Sequence, residues 1–142
     1  CQYGNACCRW IRGPADPRHR LGRAGERAAA KFLRKRGYKI LYRNFRGPKG
    51  GEVDLVCRDK SSGTLVFVEV KTRSRTDYGA PGTAVDSEKQ RLIARGAMTW
   101  LRLLDRDDVP FRFDIVEVLS DGKNFECNLI QDAFTLPKPL RW

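Results

Sequence analysis

Histidine is nearly absent from this sequence of 142 residues, in which His19 is the single example. The five cysteines stand at positions 1, 7, 8, 57 and 127, and no two of them form a Cys-x-x-Cys pair. Neither a zinc site nor a histidine-dependent catalytic centre can be assembled from this set. Cys57 and Cys127 fall in apolar, strand-like surroundings, and we expect them to be reduced core thiols.

Long apolar runs are also missing from the chain. No stretch approaches the ~20 residues that are needed to span a bilayer, and residues 1–20 lack the apolar segment of a signal peptide. These absences predict a cytoplasmic protein without a membrane partner. The length suits one domain, which we expect at residues 21–134, with a loose basic arm at 1–20 and a tail at 135–142.

Positive charge is concentrated in the first two-fifths of the chain. The net charge is +11; residues 1–58 carry 15 Lys and Arg against 4 Asp and Glu, whereas residues 59–142 carry 13 of each. A basic region beside a neutral one favours a polyanion such as nucleic acid as partner, because phosphate binding releases counterions. The plainer alternative is a solvated basic helix that only aids solubility. A homodimer stays open.

Periodicity predicts an α/β fold in the order α-β-β-β-α-β, with a mixed central sheet flanked by helices. Residues 22–36 are amphipathic at helical spacing, with Arg27 and Lys31 on the outer face. Ser87 is expected to open a second helix, with a capping box over residues 87–90. Strands are predicted at residues 38–44, 52–58, 64–72 and 111–118, with a further candidate at 125–130.

Two charged residues, Glu69 and Lys71, interrupt the most apolar strand. Their spacing of two places both on one face, and burying charges there is costly unless something uses them. If the preceding hairpin pairs Arg58 with Leu65, Asp54 lies directly opposite Glu69. Two carboxylates at ~5 Å repel by roughly 3 kcal/mol at an effective dielectric near 20. A cation that prefers oxygen ligands, such as Mg²⁺ or Mn²⁺, would offset that repulsion.

The same residues also allow a structural interpretation. Lys71 could form a salt bridge with Asp54 and Glu69 without any catalysis. In the catalytic interpretation, a metal polarises a phosphodiester and Lys71 positions a water or offsets developing charge. Glu26, on the apolar side of the first helix, is a further candidate, although a lone acid there is more often a first-turn charge favoured by the helix dipole. Spacing alone leaves these alternatives open.

Four runs stand in order along the chain: LGRAGE at 21–26, GYKILYRN at 37–44, GEVDLV at 51–56 and VFVEVKTR at 66–73. Together with Lys89, the triplet RFD at 112–114 and the pair AF at 133–134, they resemble the YraN family. That family is a group of small bacterial predicted endonucleases in the PD-(D/E)XK, or restriction-endonuclease-like, superfamily. The resemblance covers about residues 20–134.

The resemblance implies a restriction-endonuclease-like core and a metal-dependent endonuclease that acts on DNA, with branched or structured DNA as one option. It implies that Asp54 and Glu69 bind Mg²⁺ or Mn²⁺, that Glu26 completes the site and that Lys71 assists catalysis. The positions expected to contact substrate are Arg43, Asn44, Arg73 and Lys89, joined by the basic helix residues Arg27 and Lys31. Two rival functions are a nucleic-acid-binding module without catalysis and a structural or assembly factor with a basic face.

Overall fold

Seven regular elements make up the part of the chain that the computed structural model describes, residues 17–74, 85–106 and 108–136. In chain order they are α1 (Pro17–Lys35), β1 (Tyr38–Arg46), β2 (Glu52–Asp59), β3 (Leu65–Ser74), α2 (Ser87–Leu104), β4 (Phe111–Ser120) and β5 (Phe125–Phe134). The predicted fold class and element order are confirmed, and the candidate fifth strand forms. Most of the predicted arm, residues 1–16, and of the predicted tail, residues 137–142, lies outside the described residues.

The five strands form one mixed sheet in the order β1-β2-β3-β4-β5. The first three are antiparallel neighbours, β3 and β4 run parallel, and β5 returns antiparallel to β4. In β3, Leu65 and Phe67 belong to a core cluster with α2, whereas Val66 and Val68 belong to a second cluster with α1. The prediction of a central strand that is covered on both faces is therefore confirmed.

The helix α1 packs on the sheet through small apolar residues. Ala29 and Leu33 are fully buried, while Arg27 and Lys31 are exposed, so the predicted amphipathic pattern is confirmed. The helix begins at Pro17 rather than at residue 22; proline suits a first turn, where its missing N–H has no intrahelical partner. No helix of the described ranges is long and apolar enough to cross a membrane.

The helix α2 begins at Ser87 as predicted, but its N-cap is Asp86. The Asp86 side chain accepts a hydrogen bond from the backbone N of Lys89 at 2.8 Å, so the predicted capping box, which places Ser87 at the cap, is wrong. Further along the helix, a Cβ on Gly96 would lie 3.0 Å from the backbone N of Glu52. Glycine thus lets α2 approach the start of β2 closely, with Lys89 in its first turn.

The two described cysteines behave as predicted. Cys57 is buried, Cys127 is half-buried, and both are free thiols. Burial raises the pKa of Cys57 to about 12, so this thiol stays protonated and inert near neutral pH. The remaining cysteines, at positions 1, 7 and 8, lie outside the described residues.

Candidate functional site

The sheet opens at Asp54. The β2–β3 ladder follows the predicted register and ends at the pair Leu55–Val68, one step before Asp54 would meet Glu69. Instead of continuing the ladder, Oδ2 of Asp54 accepts a hydrogen bond from the backbone N of Val70 at 2.9 Å. The carboxylate therefore takes the place of a backbone partner and lies in the gap between the two strands.

The alternation of side chains along β2 breaks at the same point. Val53 belongs to the α2-side cluster and Leu55 to the α1-side cluster, although they are two apart in one strand. On the adjoining strand, Asn44 adopts a positive φ of 53°, and the β1–β2 register passes over the Asn44–Asp54 pair. Because the regular alternation is interrupted, residues from both faces of the sheet can approach Asp54.

Glu69 is the buried partner of Asp54. It is 6% exposed, and its Oε2 is buried with no hydrogen-bond partner among the described residues. Its pKa is raised to about 8, chiefly by burial, and further by the charge of Asp54 and a hydrogen bond between the two carboxyl groups. Burial and the neighbouring charge therefore favour the protonated form of Glu69 when no cation is bound.

Lys89 approaches these acids from α2. Its Nζ lies 2.5 Å from Oε1 of Glu52 and 3.6 Å from Oε1 of Glu69. The bond to Lys89 lowers the pKa of Glu52; burial opposes the charge on Lys89, but its bonds to the acids raise its pKa. Lys89 was expected to contact substrate, and the structure places it inside the acidic cluster. Glu52 matches a motif position of the YraN family, but the sequence assigned it no role.

Glu26 approaches from α1, on the other face of the sheet. A Cβ on the preceding residue, Gly25, would overlap the side chain of Thr72, so glycine permits α1 to lie this close to β3. Burial raises the pKa of Glu26, the charge of Asp54 raises it further, and a hydrogen bond with Asn44 lowers it in part. The predicted helical acid therefore lies within electrostatic reach of Asp54.

The basic candidates divide into two groups. Lys71 and Arg73 are half-buried beyond Glu69 on β3, and Arg73 lines a cavity of about 380 Å³ together with Glu26. The charge of Arg43 acts on Glu26 and lowers its pKa in part, after the larger effects of burial and Asp54. These three basic residues therefore lie beside the acids or next to them in the strand.

Arg27 and Lys31 form the second group. Both are exposed on the outer side of α1, opposite the buried residues that face the sheet. The structure does not bring them into the acidic cluster, and as contacts for a phosphate backbone they stay predictions.

The donor atoms suit a hard divalent cation. Asp54 and Glu69 offer carboxylate oxygens in mutual contact, and Oε2 of Glu69 has no other partner in the described part of the chain. No three His, Cys, Asp or Glu side chains within residues 17–74, 85–106 and 108–136 converge as a complete metal-binding group. Mg²⁺ nevertheless often uses one or two carboxylates and completes its shell with water and substrate phosphate. The residues therefore fit Mg²⁺ or Mn²⁺, with Glu26 as a further acid.

Comparison with other proteins gives related sequences over most of the chain. The model of the uncharacterised protein family UPF0102 matches residues 25–118, which include all of the acids described above. The chain is 51% identical over 117 residues to a UPF0102 protein of Symbiobacterium thermophilum, covering 81% of this chain and 96% of the relative. It is 46% identical over 116 residues to a UPF0102 protein of Geobacter metallireducens, covering 82% and 93%.

Proposed function

Because the chain belongs to the uncharacterised protein family UPF0102, we propose its function from the site itself: metal-dependent hydrolysis of phosphodiester bonds in nucleic acid, with DNA as the expected substrate. One observation carries the proposal. Asp54 and Glu69 bring two acids into contact at an opening of the sheet, and the buried one has an oxygen without a partner among the described residues. Such a pair costs folding free energy, and a bound cation would remove that cost.

The resemblance to the YraN family and the PD-(D/E)XK superfamily supports the same function. Its motif positions Asp54, Glu69 and Lys71 fall at the opening between β2 and β3 or directly beyond it. Glu26, the helical acid that the resemblance adds, is close enough for Asp54 to raise its pKa, second to the effect of burial. These four positions come from three elements, α1, β2 and β3, and the proximity of the three acids is what supports the proposal.

Each residue of the site has a role in this reaction. Asp54 and Glu69 would hold the cation, and Glu26 would add an oxygen from α1. The bound cation would polarise the phosphate and lower the pKa of its water. Lys71 would donate a hydrogen bond to the attacking water or to the phosphate, where negative charge develops. Arg73, on the cavity that Glu26 also lines, would bind a neighbouring phosphate.

Cleavage assays test the proposal. The substrates are linear, nicked, flapped and four-way DNA, with a single-stranded RNA for comparison, each with Mg²⁺ or Mn²⁺. We expect the wild type to cut at least one DNA substrate, and Asp54→Asn and Lys71→Met to cut none. The matched control is Asp108→Asn, because Asp108 is an exposed acid paired with Arg106, and it should cut as the wild type does.

Metal binding is measured separately by thermal melting. A ligand that binds only the folded state stabilises it in proportion to the logarithm of its concentration, so Mn²⁺ should raise the Tm of the wild type and of Lys71→Met. It should not raise the Tm of Asp54→Asn. A wild type that Mn²⁺ neither stabilises nor activates on any substrate contradicts the nuclease function.

The ion pairs of Lys89 favour a second candidate, a nucleic-acid-binding module without catalysis. Lys89 bonds to Glu52 and lies near Glu69, so it offsets part of the acidic charge without any metal. If Lys89 alone compensates the acids and no metal binds, the protein should bind nucleic acid equally well with Mn²⁺ and with EDTA and should cut no substrate.

Both candidates need a surface for phosphate, and α1 offers one. Four of its exposed basic residues are Arg27, Lys31, Arg34 and Lys35. Reversing all four to Glu should weaken binding several-fold and reduce its dependence on salt, because fewer counterions are released. The matched control applies the same change of net charge to exposed bases elsewhere, namely Arg58, Lys60, Arg106 and Lys123. Equal losses in the two variants would show that α1 is not the interface.

A further inference from the structure

A half-exposed aromatic residue, Tyr42, lies on the edge strand β1, and 50% of it is exposed. Its ring packs edge to face on Phe45, with centroids 5.8 Å apart, and against Trp100 of α2 at 5.7 Å. Phe45 and Trp100 also contact each other, at 5.2 Å. Because Phe45 is buried, this cluster supports the Tyr42 ring on one side and leaves the rest of it open to solvent.

The strand around Tyr42 is basic. β1 carries three exposed cations, Lys39, Arg43 and Arg46, and no acid. Single exposed aromatic residues are ordinary on protein surfaces. An exposed aromatic ring on a strand whose charges are all positive is different, because it matches a polyanion that carries flat aromatic bases.

Tyr42 also precedes the part of β1 that reaches the acidic site. Asn44 makes a hydrogen bond with Glu26, and the charge of Arg43 acts on Glu26 as well. Tyr42 itself packs against Trp100 of α2, on the opposite face of the sheet from Glu26. A nucleic-acid strand that crossed this edge of the sheet could therefore place one base on Tyr42 while its backbone continued toward the acids.

We propose that Tyr42 is a stacking platform for an unpaired base, so that the substrate is nucleic acid with a single-stranded segment rather than intact duplex. In a duplex, both faces of each base are covered by its neighbours, and a ring outside the helix cannot stack until a base is extruded. The assignment of the substrate rests on the proposed function. Binding at Tyr42 does not require cleavage and can be tested without it.

A second copy of the chain is the less favourable occupant of this edge. Pairing of β1 with β1 of another copy would bring the cations of both strands together, and like charges on paired strands destabilise a sheet. Basic residues on an edge strand commonly prevent such pairing. The charge of β1 therefore favours a polyanion over another copy of the chain.

Binding of labelled oligothymidylate in EDTA, followed by fluorescence anisotropy, tests the platform. Stacking of one base on an aromatic ring corresponds to a change in affinity of about five-fold to 140-fold. Tyr42→Ala should lose affinity within that range. Tyr42→Phe should bind as the wild type does, because the ring remains. Tyr42→Leu keeps apolar bulk without a π face and should resemble Tyr42→Ala, which separates stacking from simple packing.

The control variant is Phe125→Ala, since Phe125 is an aromatic residue, 39% exposed, on β5 at the other edge of the sheet. It should leave affinity unchanged, and Tyr42→Ala should bind blunt duplex DNA as well as the wild type does. The proposal is overturned if Tyr42→Ala binds single strands normally, if it loses single-strand and duplex binding equally, or if sedimentation shows a dimer that this substitution dissociates.

The two proposals can fail separately. If oligothymidylate binding depends on Tyr42 but no substrate is cut with Mg²⁺ or Mn²⁺, the hydrolytic function fails and the platform stands. If DNA is cut and all Tyr42 variants bind single strands equally well, the platform fails and the hydrolytic function stands. Melting curves of each variant confirm that it is folded before binding is compared.

Discussion

The buried carboxyl groups of Asp114 and Glu69 lie on opposite faces of one sheet and have different surroundings. Those of Asp114 are explained by folding, whereas those of Glu69 indicate a binding site. Asp114 of β4 is fully buried on the α1 side. Its carboxylate accepts hydrogen bonds from Nε of Arg112 at 3.0 Å and from the backbone N of Asp132 at 2.9 Å. Glu69 of β3 lies on the α2 side, has an oxygen without a partner among the described residues, and shares a hydrogen bond with another acid.

The surroundings of Asp114 form a complete polar network. Nη2 of Arg112 donates to the hydroxyl of Tyr38 at 2.8 Å and to Oδ2 of Asp59 at 3.2 Å, and Gln131 donates to the same hydroxyl at 2.8 Å. Opposite charges and donors therefore compensate the burial of Asp114. A buried acid beside a cation is explained by folding alone, whereas a buried acid beside a second acid needs a ligand to explain it.

The largest effect on stability is expected from Arg112→Met. The substitution leaves Asp114 as a buried charge without its guanidinium, which costs about 3 to 5 kcal/mol. Urea denaturation measures the loss. The control is Arg106→Met, because Arg106 pairs with Asp108 at the exposed surface and its removal should cause no measurable change. Similar stabilities for the two variants would show that the network around Asp114 is not needed to compensate its burial.

A substitution at Glu69 should act in the opposite direction. Its pKa in the folded protein is raised to about 8 from an ordinary value of 4.5, so between these pH values the unfolded chain loses a proton that the folded protein retains. The stability that the folded protein gains by retaining this proton is complete below pH 4.5 and is lost as the pH rises through about 8. Glu69→Gln mimics the protonated form at every pH and should stabilise the metal-free protein by a few kcal/mol at pH 8.

Denaturation of the wild type and Glu69→Gln from pH 4 to pH 9 checks this expectation. The two stabilities should converge at the acidic end and separate as the pH rises. Saturating Mn²⁺ should reverse their order at pH 8, because the cation stabilises only the chain that keeps its carboxylate. A Glu69→Gln protein that is less stable than the wild type without metal would place Glu69 in the same structural class as Asp114.

Lys89→Met should have a smaller effect. The side chains of Lys89 and Glu52 are 31% and 37% exposed, so their ion pair is screened by solvent and contributes about 1 kcal/mol or less. Its loss leaves the acids less compensated, so Mn²⁺ should raise the Tm of Lys89→Met by more than that of the wild type. A smaller shift would mean that Lys89 helps to assemble the metal site rather than substituting for the metal.

The types and order of the elements could be predicted because they depend on local patterns. The register assumed for the β2–β3 hairpin, with Arg58 opposite Leu65, is the one that forms, and the short loop is closed by the backbone N of Gly63, which donates to the carbonyl of Asp59 at 2.8 Å. The end of that ladder at Leu55–Val68 could not be predicted. At that point Val53 and Leu55 pack in clusters on opposite faces of the sheet, an interruption that the alternating sequence pattern does not indicate.

In the site too, the contacts within the hairpin could be predicted, whereas those that depend on the packing of α2 could not. Asp54 and Glu69 are neighbours because of the hairpin register, and their proximity is confirmed. The bond between Lys89 and Glu52 spans 37 positions along the chain and depends on the docking of α2, which Gly96 permits. The predicted cap at Ser87 is wrong for a local reason, since the adjacent Asp86 offers a stronger, charged acceptor to the same first turn.

The smallest effect on stability is expected from Asp54→Asn. The amide oxygen can still accept the hydrogen bond from the backbone N of Val70, and removal of the charge relieves the repulsion on Glu69. The metal-free variant should therefore lie within about 1 kcal/mol of the wild type. Asp54→Ala is the control. It also removes the repulsion on Glu69, but it leaves the Val70 N–H unpaired, which costs about 1 to 3 kcal/mol.

Thermal melts of wild type, Asp54→Asn and Asp54→Ala, each with and without Mn²⁺, measure the stability of the metal-free proteins and the stabilisation by the metal. Mn²⁺ should raise only the wild-type Tm, because both variants lack the carboxylate that binds it. A loss of about 3 kcal/mol or more in metal-free Asp54→Asn is what a structural salt bridge requires, since it leaves a cation poorly paired. That result would make Asp54 a partner of Lys71 or Lys89 in the way that Asp114 is a partner of Arg112, and the distinction between the two faces of the sheet would no longer hold.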